Sequence, residues 1–191
     1  MINKYEFTST NINGLFVIDP FYASDYRGFV KKTFEKNIFS EQGILFDPIE
    51  EMETTSSKGV IRGLHFQTSY SQAKLIRCAR GSILDVAVDL RKDSLTFSKY
   101  YSTILSAENR KMMFIPKGFA HGCLSLEDNT TFYYLSDSKY YPEYDGGIAW
   151  NDDDLSVDWE FNTEKIILSE KDENLPSFKD FLLKYGSISN D

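Results

Sequence analysis

The stretch AKLIRCARGSILDVAVDL (73–90) contains two apolar runs separated by an arginine–glycine break. Each run is too short for a typical helix, and the second carries the β-branched residues Ile83, Val86 and Val88. With Gly81 as a turn residue between them, the segment reads as two strands. The pattern spreads in both directions. GLFVID (14–19), GFVKKTF (28–34) and GVIRGLHF (59–66) precede it, and FSKYYSTILS (97–106), KMMFIP (111–116), AHGCLSL (120–126) and TTFYYLS (130–136) follow. Apolar residues recur mostly at a period of two, and Gly, Pro, Asn and Asp fill the gaps. Short strands at this spacing predict an antiparallel sandwich or barrel. Helix signals are few: EKNIFSEQG (35–43) predicts a short helix ending at Gly43. PSFKDFLLKYG (176–186) predicts a helix near the C-terminus, with Pro176 at its first turn and Gly186 as its stop.

Composition narrows the class. A chain of 191 residues is long enough for one domain with a real core, and no repeat or linker divides it, so a single β-domain over 1–191 is expected. Aromatic residues make up 15% of the chain, which suits half-buried pleated surfaces rather than disorder. The net charge of −8 repels polyanions, which argues against nucleic acid as a partner, although a local basic cluster can still hold a small anion. No apolar run reaches the ~20 residues of a membrane span, and MINKYEFTST lacks the basic start and apolar core of a signal peptide. The expectation is a soluble cytoplasmic protein in which Cys78 and Cys123, both in apolar runs, are buried free thiols.

The chain has only two histidines, and both sit in strand-like surroundings. In an ideal strand GVIRGLHFQ (59–67) would turn Arg62 and Leu64 one way and Ile61, Gly63 and His65 the other, an alternation that Gly63 can relax. His65 is either a hydrogen-bonded core residue or a general base, since a buried neutral imidazole can accept a proton. Lys74, at the start of an apolar run, reads as a surface lysine or as a fixed positive charge. Asp85 interrupts ILDVAV, so its carboxylate must be paired or must face a cavity. His121, in GFAHG, is flanked by small residues that leave room for a ligand. Tyr133 and Tyr134 are adjacent on one strand, so one points inward, where it either donates a proton or packs. A three-histidine metal site is impossible, and two histidines with a carboxylate would still need an unidentified third ligand, so neither metal nor cofactor is expected. Phosphate-loop, dinucleotide-binding and serine-hydrolase motifs are missing.

Taken as a set, DYRGFV (25–30), KGVIRGLHFQ (58–67), QAKLIRCARGSILDVAVDLRKDSLTF (72–97), LSAENRKMMFIPKGFAHGCLSL (105–126), FYYLSDSKYYPE (132–143), GIAWND (147–152) and ILSEKD (167–172) resemble the dTDP-4-dehydrorhamnose 3,5-epimerase family. They occur in family order over nearly the whole chain. The resemblance implies a jelly-roll (cupin-like) fold and a metal-free homodimer. It also implies epimerisation at C3, C5 or both of a nucleoside-diphosphate-linked 4-keto-6-deoxyhexose, in deoxysugar and O-antigen-type polysaccharide biosynthesis. It assigns His65 as the base, oriented by Asp172, with Lys74 stabilising the enolate oxygen and Tyr134 returning a proton to the opposite face. It puts Arg62 and His121 near the diphosphate and sugar, Tyr140 and Glu143 in the substrate-binding stretch, Arg27 where a neighbouring subunit reaches the site, and Asp85 behind the site residues.

The departures from the family lie on the nucleotide side. Lys32 replaces a usual Glu, and Glu50 and Met52 replace a Gln-x-Asn pattern. Changed base-facing groups can reject a base lacking the right complement. The expected carrier is therefore dTDP by family default, with CDP or GDP as alternatives. Two other functions stay open: a sugar-nucleotide 3,4-ketoisomerase, which needs no proton donor on the opposite face, and a non-catalytic nucleotide-sugar-binding barrel.

Overall fold

The computed structural model describes residues 2–189. In chain order its strands are β1 (Ile2–Asn3), β2 (Glu6–Ser9), β3 (Phe16–Asp19), β4 (Phe21–Asp25), β5 (Gly28–Lys32), β6 (Glu50–Ser56) and β7 (Ile61–Gln67). They continue with β8 (Lys74–Arg80), β9 (Ser82–Asp89), β10 (Tyr100–Ser106), β11 (Met112–Ile115), β12 (Phe119–Ser125), β13 (Thr130–Ser136) and β14 (Asp145–Gly147). Three short helices accompany them: α1 (Lys36–Glu41), α2 (Glu170–Glu173) and α3 (Phe178–Lys184).

Strand pairing is antiparallel and forms two large sheets, ordered β10-β9-β12-β7-β14 and β2-β3-β11-β8-β13-β6, with a small β1-β4-β5 sheet beside them. From β7 to β9, and again from β11 to β14, successive strands alternate between the two large sheets, the jelly-roll path. The pairings define two facing sheets rather than one closed ring.

The burial of β9 accounts for its nearly continuous apolar run. Ile83 and Ala87 face the opposing sheet and pack with Ile76, Cys78, Met113 and Phe132. Leu84, Val86 and Val88 face the other way, under Ile148, Leu155, Trp159 and the α3 residues Phe178 and Phe181. A strand covered on both faces gains from apolar residues at every position. Asp89, at its end, is buried but held by Arg91, Ser94 and Thr96, so Asp85, on the inner face, is the exception that needs an explanation. The outer face of the six-stranded sheet is covered in turn by Phe39 of α1 with Ile44 and Phe46.

α3 holds its place over the sheet through a capping box. Ser177 accepts from the Asp180 backbone N–H, and Asp180 accepts in return from the Ser177 backbone. Gly186, at φ +69°, ends the helix as expected. Among the described residues no helix is long and apolar enough to cross a membrane.

Candidate active site

β7 departs from the simple alternation expected of it. His65 pairs with His121 on β12 and Arg62 pairs with Cys123, so three steps on β7 match two on β12. This is a β-bulge. The extra residue puts Ile61 and Leu64 together in the outer core and leaves Arg62 and His65 on the inner side. The sequence reading had placed Arg62 with Leu64 and His65 with Ile61, and the bulge overturns that pairing. Gly63 makes it possible: its φ is +113°, and a Cβ there would lie 2.5 Å from the His121 carbonyl oxygen.

His65 reaches across to α2, where its Nε2–H donates to Asp172 Oδ1 at 2.5 Å. Asp172 is fixed from its own helix. Ser169, the N-cap, accepts from the Asp172 backbone N–H at 3.1 Å and donates its hydroxyl to Oδ2 at 2.8 Å. Burial pushes the Asp172 carboxyl up, but the His65 and Ser169 hydrogen bonds outweigh it and hold the group below its ordinary value. With Nε2 committed, Nδ1 is the ring nitrogen left to take a proton.

The opposing sheet supplies Lys74 and Tyr134 to the same cavity, about 370 Å³ in volume. Lys74 begins β8 and projects inward. Burial lowers its ammonium to about 8, partly offset by the charges of Asp145 and Asp85. Tyr134 on β13 also points in, while its neighbour Tyr133 points out and stacks under Arg77 at 3.9 Å. Burial raises the Tyr134 hydroxyl well above its ordinary value, with smaller contributions from Cys123 and Asp85, so it stays protonated at neutral pH. Its oxygen lies 3.8 Å from Cys123 Sγ. His121, on β12, sets its ring edge-on to Tyr134 at 5.6 Å and donates Nε2–H to Asp85 Oδ1 at 2.7 Å. Asp85 is therefore paired, although its Oδ2 has no hydrogen-bond partner among the described residues. Cys78 and Cys123 are buried free thiols.

Around the rim, Arg62 donates to Ser56 Oγ at 3.1 Å, Met52 lines the wall from β6, and Tyr140 donates its hydroxyl to Asp145 Oδ2 at 3.1 Å. The remaining expected site residues lie outside the lining. Arg27 is exposed on the β4–β5 turn and paired with Asp25. Lys32 is paired with Glu35 at 2.6 Å. Glu50 keeps a buried Oε1 without a partner among the described residues, and Glu143 is exposed on a 3-10 turn. Of the three departures on the nucleotide side, only Met52 faces the cavity. In the place expected for Glu143 the cavity has Asp145, which also binds Lys171. Asp145, Lys171, Gln67, Gln72 and Ser169 were not singled out from sequence. Gln67, two residues beyond His65 on the same strand, was the one a period-two reading could have found.

A carboxylate-backed imidazole, a buried ammonium and a protonated phenol thus share one cavity, a set able to remove, compensate and return a proton. A family model described as dTDP-4-dehydrorhamnose 3,5-epimerase matches residues 9–180. The dTDP-4-dehydrorhamnose 3,5-epimerase of Methanothermobacter thermautotrophicus is 44% identical over 172 residues, covering 90% of this chain and 93% of that protein. The crystal structure of dTDP-6-deoxy-D-glucose-3,5-epimerase from Legionella pneumophila, in complex with dTDP-4-keto-L-rhamnose, superposes with a TM-score of 0.89. It is 36% identical, over 92% of this chain and 94% of that one. ChmJ, a 3'-monoepimerase from Streptomyces bikiniensis solved with dTDP-quinovose, gives a TM-score of 0.84 at 31% identity, over 94% of this chain and 91% of that one. With fold, length and sequence all matched, the chain is an isomerase-class enzyme that belongs to the dTDP-4-dehydrorhamnose 3,5-epimerase family.

Proposed function

We propose that this chain inverts C3 and C5 of a dTDP-linked 4-keto-6-deoxyhexose without metal or cofactor. The observation that carries the reading is that His65 and Tyr134 enter one cavity from opposing sheets, with Lys74 lining it between them in sequence and beside Tyr134's strand. A hydrogen on C3 or C5 is acidified by the C4 ketone. His65 Nδ1 takes it as a proton, the C–H electrons move to the C4 oxygen, and the enolate forms against the Lys74 ammonium. The Tyr134 hydroxyl then gives a proton to the opposite face, and the ketone re-forms. Imidazolium and phenolate return to their starting states by exchange with solvent. The retained donor on the far side favours epimerase over ketoisomerase and over a pure binding barrel.

Three further assignments belong to this proposal. The dTDP carrier and both carbons follow from the greater likeness to relatives named 3,5-epimerases than to the 3'-monoepimerase. One catalytic unit over 1–191 is supported by a cavity whose lining runs from Met52 to Asp172. A homodimer is supported by the β4–β5 hairpin, where Tyr26, Phe29 and Val30 are 97%, 64% and 66% exposed around Arg27.

The test is proton NMR of the enzyme with dTDP-4-keto-6-deoxy-D-glucose in D₂O. Loss of the H3 and H5 signals with C4 still a ketone and inverted product is expected. Binding with no exchange at either carbon overturns the reading.

A further inference from the structure

Gln67 closes β7 and takes no part in the proton transfer, yet the residue is 4% exposed and its side chain is engaged at both ends. Its amide nitrogen donates to the carbonyls of Tyr70 at 2.8 Å and Lys139 at 3.2 Å, and its amide oxygen accepts from the Tyr141 N–H at 2.6 Å. Those partners lie on two loops at the cavity mouth, one following β7 and one following β13. Only a primary amide satisfies this set. Two carbonyls need two donors and the N–H needs an acceptor, which a carboxylate or a hydroxyl cannot supply at once.

The geometry around Gln67 is tightly determined. Tyr70 has a left-handed φ of +54°, uncommon for a bulky residue. Gln67 holds its carbonyl, and its ring packs on Tyr141 at 4.7 Å and Tyr144 at 5.4 Å. Tyr140 lies between Lys139 and Tyr141, the two residues of its loop that Gln67 binds. The acceptor of its hydroxyl, Asp145, is the direct partner of Gln67 in the β7–β14 pairing.

We propose that Gln67 is a positioning residue that sets Tyr140 and Asp145 at the cavity mouth, in fixed relation to His65 two residues earlier on the same strand. This rests on the reading of the cavity as a nucleotide-sugar site. The clip governs how well the nucleotide sugar is held, not the proton transfers. A carbonyl left unpaired when the clip is removed would pull its loop toward water and release the rim.

Gln67→Met removes all three bonds at similar volume. Its KM for the nucleotide sugar and its Kd for dTDP, by titration calorimetry, should each rise at least about tenfold while kcat stays within about threefold. Added to Tyr140→Ala, Gln67→Met should cost less than about twofold more, because both act through one rim. A fall in kcat with unchanged KM, no change in either constant, or full multiplication with Tyr140→Ala, as a direct contact of Gln67 with the ligand would give, overturns the proposal. Should Gln67→Met not fold, Gln67→Glu keeps the bond from Tyr141 and is judged by the same readouts. Failure of both to fold would make Gln67 a folding residue and also overturn it. If the wild-type enzyme neither turns over nor binds dTDP, the cavity assignment fails instead.

Discussion

His65 and His121 are direct partners across the β7–β12 pairing, yet their rings turn to different carboxylates, Asp172 at 2.5 Å and Asp85 at 2.7 Å. Their exposure separates them. The His65 side chain is 30% exposed and the His121 side chain 5%. Asp172 has a second partner in Ser169, whereas Asp85 gives its other oxygen to nothing among the described residues. Of two similar pairs, both reach the cavity wall, one with an open imidazole and the other with an almost fully buried one.

His65→Ala should therefore lower turnover by at least ~10², and it should also lower the melting temperature, because it leaves the buried Asp172 carboxylate without its imidazole partner. Asp172→Asn should also slow turnover, and its effect on stability has a definite pH dependence. Asp172 sits below its ordinary value in the folded protein. Its contribution is fully present above the unfolded value near ~4 and is lost as pH falls through the lower folded one. Melts of wild type and Asp172→Asn should differ most above pH ~5 and converge in stronger acid. A gap that widened in acid would contradict the assignment.

Tyr134→Phe separates the two halves of the reaction. His65 can still remove and return the proton on its own side, so substrate recovered from D₂O should carry deuterium with its configuration kept. Formation of inverted product should fall by roughly 10²–10⁴. Mass spectrometry with NMR of the recovered sugar reads both. Undiminished inversion would show that the second proton comes from elsewhere.

Lys74 sets an alkaline limit. Burial lowers its ammonium to about 8, while the Tyr134 hydroxyl lies far higher, so kcat/KM should fall above pH about 8 as the charge is lost. Lys74→Met should be slow throughout and lack that limb. Stability moves the opposite way. The unfolded lysine titrates near ~10.4, so between the two values the unfolded chain holds more protons and folding stability rises with pH. A loss of activity above pH 8 that coincided with unfolding would refute this account.

The nine runs with period-two patterning all fall on strands, and both predicted helices form. The losses have physical causes. β6 reads EEMETTS because it is an outer strand of its sheet, mostly exposed, and Met52 and Thr54 face a cavity rather than a core. Nothing in its composition distinguishes it from a loop. α2 is four residues long, too short for a helical period, so Asp172 was reachable only through family resemblance. The facing of His65 was misread because one bulge shifts every side chain after it, as a one-residue slip does anywhere in a sheet. Asp145 was missed because DGG looks like a turn, although it forms the outer strand beside β7.

Gly63→Ala tests that bulge. The added Cβ would meet the His121 carbonyl oxygen at 2.5 Å and Gly122 Cα at 2.6 Å, both backbone atoms that cannot swing aside, at a φ that L side chains rarely adopt. A loss of stability of order 2–4 kcal/mol is expected, with loss of turnover in whatever fraction folds, because Arg62 and His65 depend on the same bulge. Gly28→Ala has nothing within 4 Å of its Cβ. Its left-handed φ of +125° adds strain but no clash, so it should cost clearly less. Equal urea midpoints for the two variants would contradict the steric account.

The proposed dimer makes Arg27 and its hairpin the last element to test. Tyr26, in the turn, and Phe29 and Val30, on β5, are exposed on a three-stranded sheet that lies beside the two main ones, and among the described residues Arg27 meets Asp25 and the Tyr26 ring, both on its own hairpin. Apolar residues this exposed on a strand edge favour a partner surface. Phe29→Asp with Val30→Asp should shift sedimentation from dimer to monomer and lower turnover. Arg27→Ala should leave the dimer intact and raise KM, because the resemblance puts Arg27 at a neighbour's site rather than in the interface core. Mixing Arg27→Ala with His65→Ala should then restore part of the activity, since each mixed dimer holds one cavity with both residues intact. Full activity in a monomeric double-aspartate variant would remove the dimer from the mechanism.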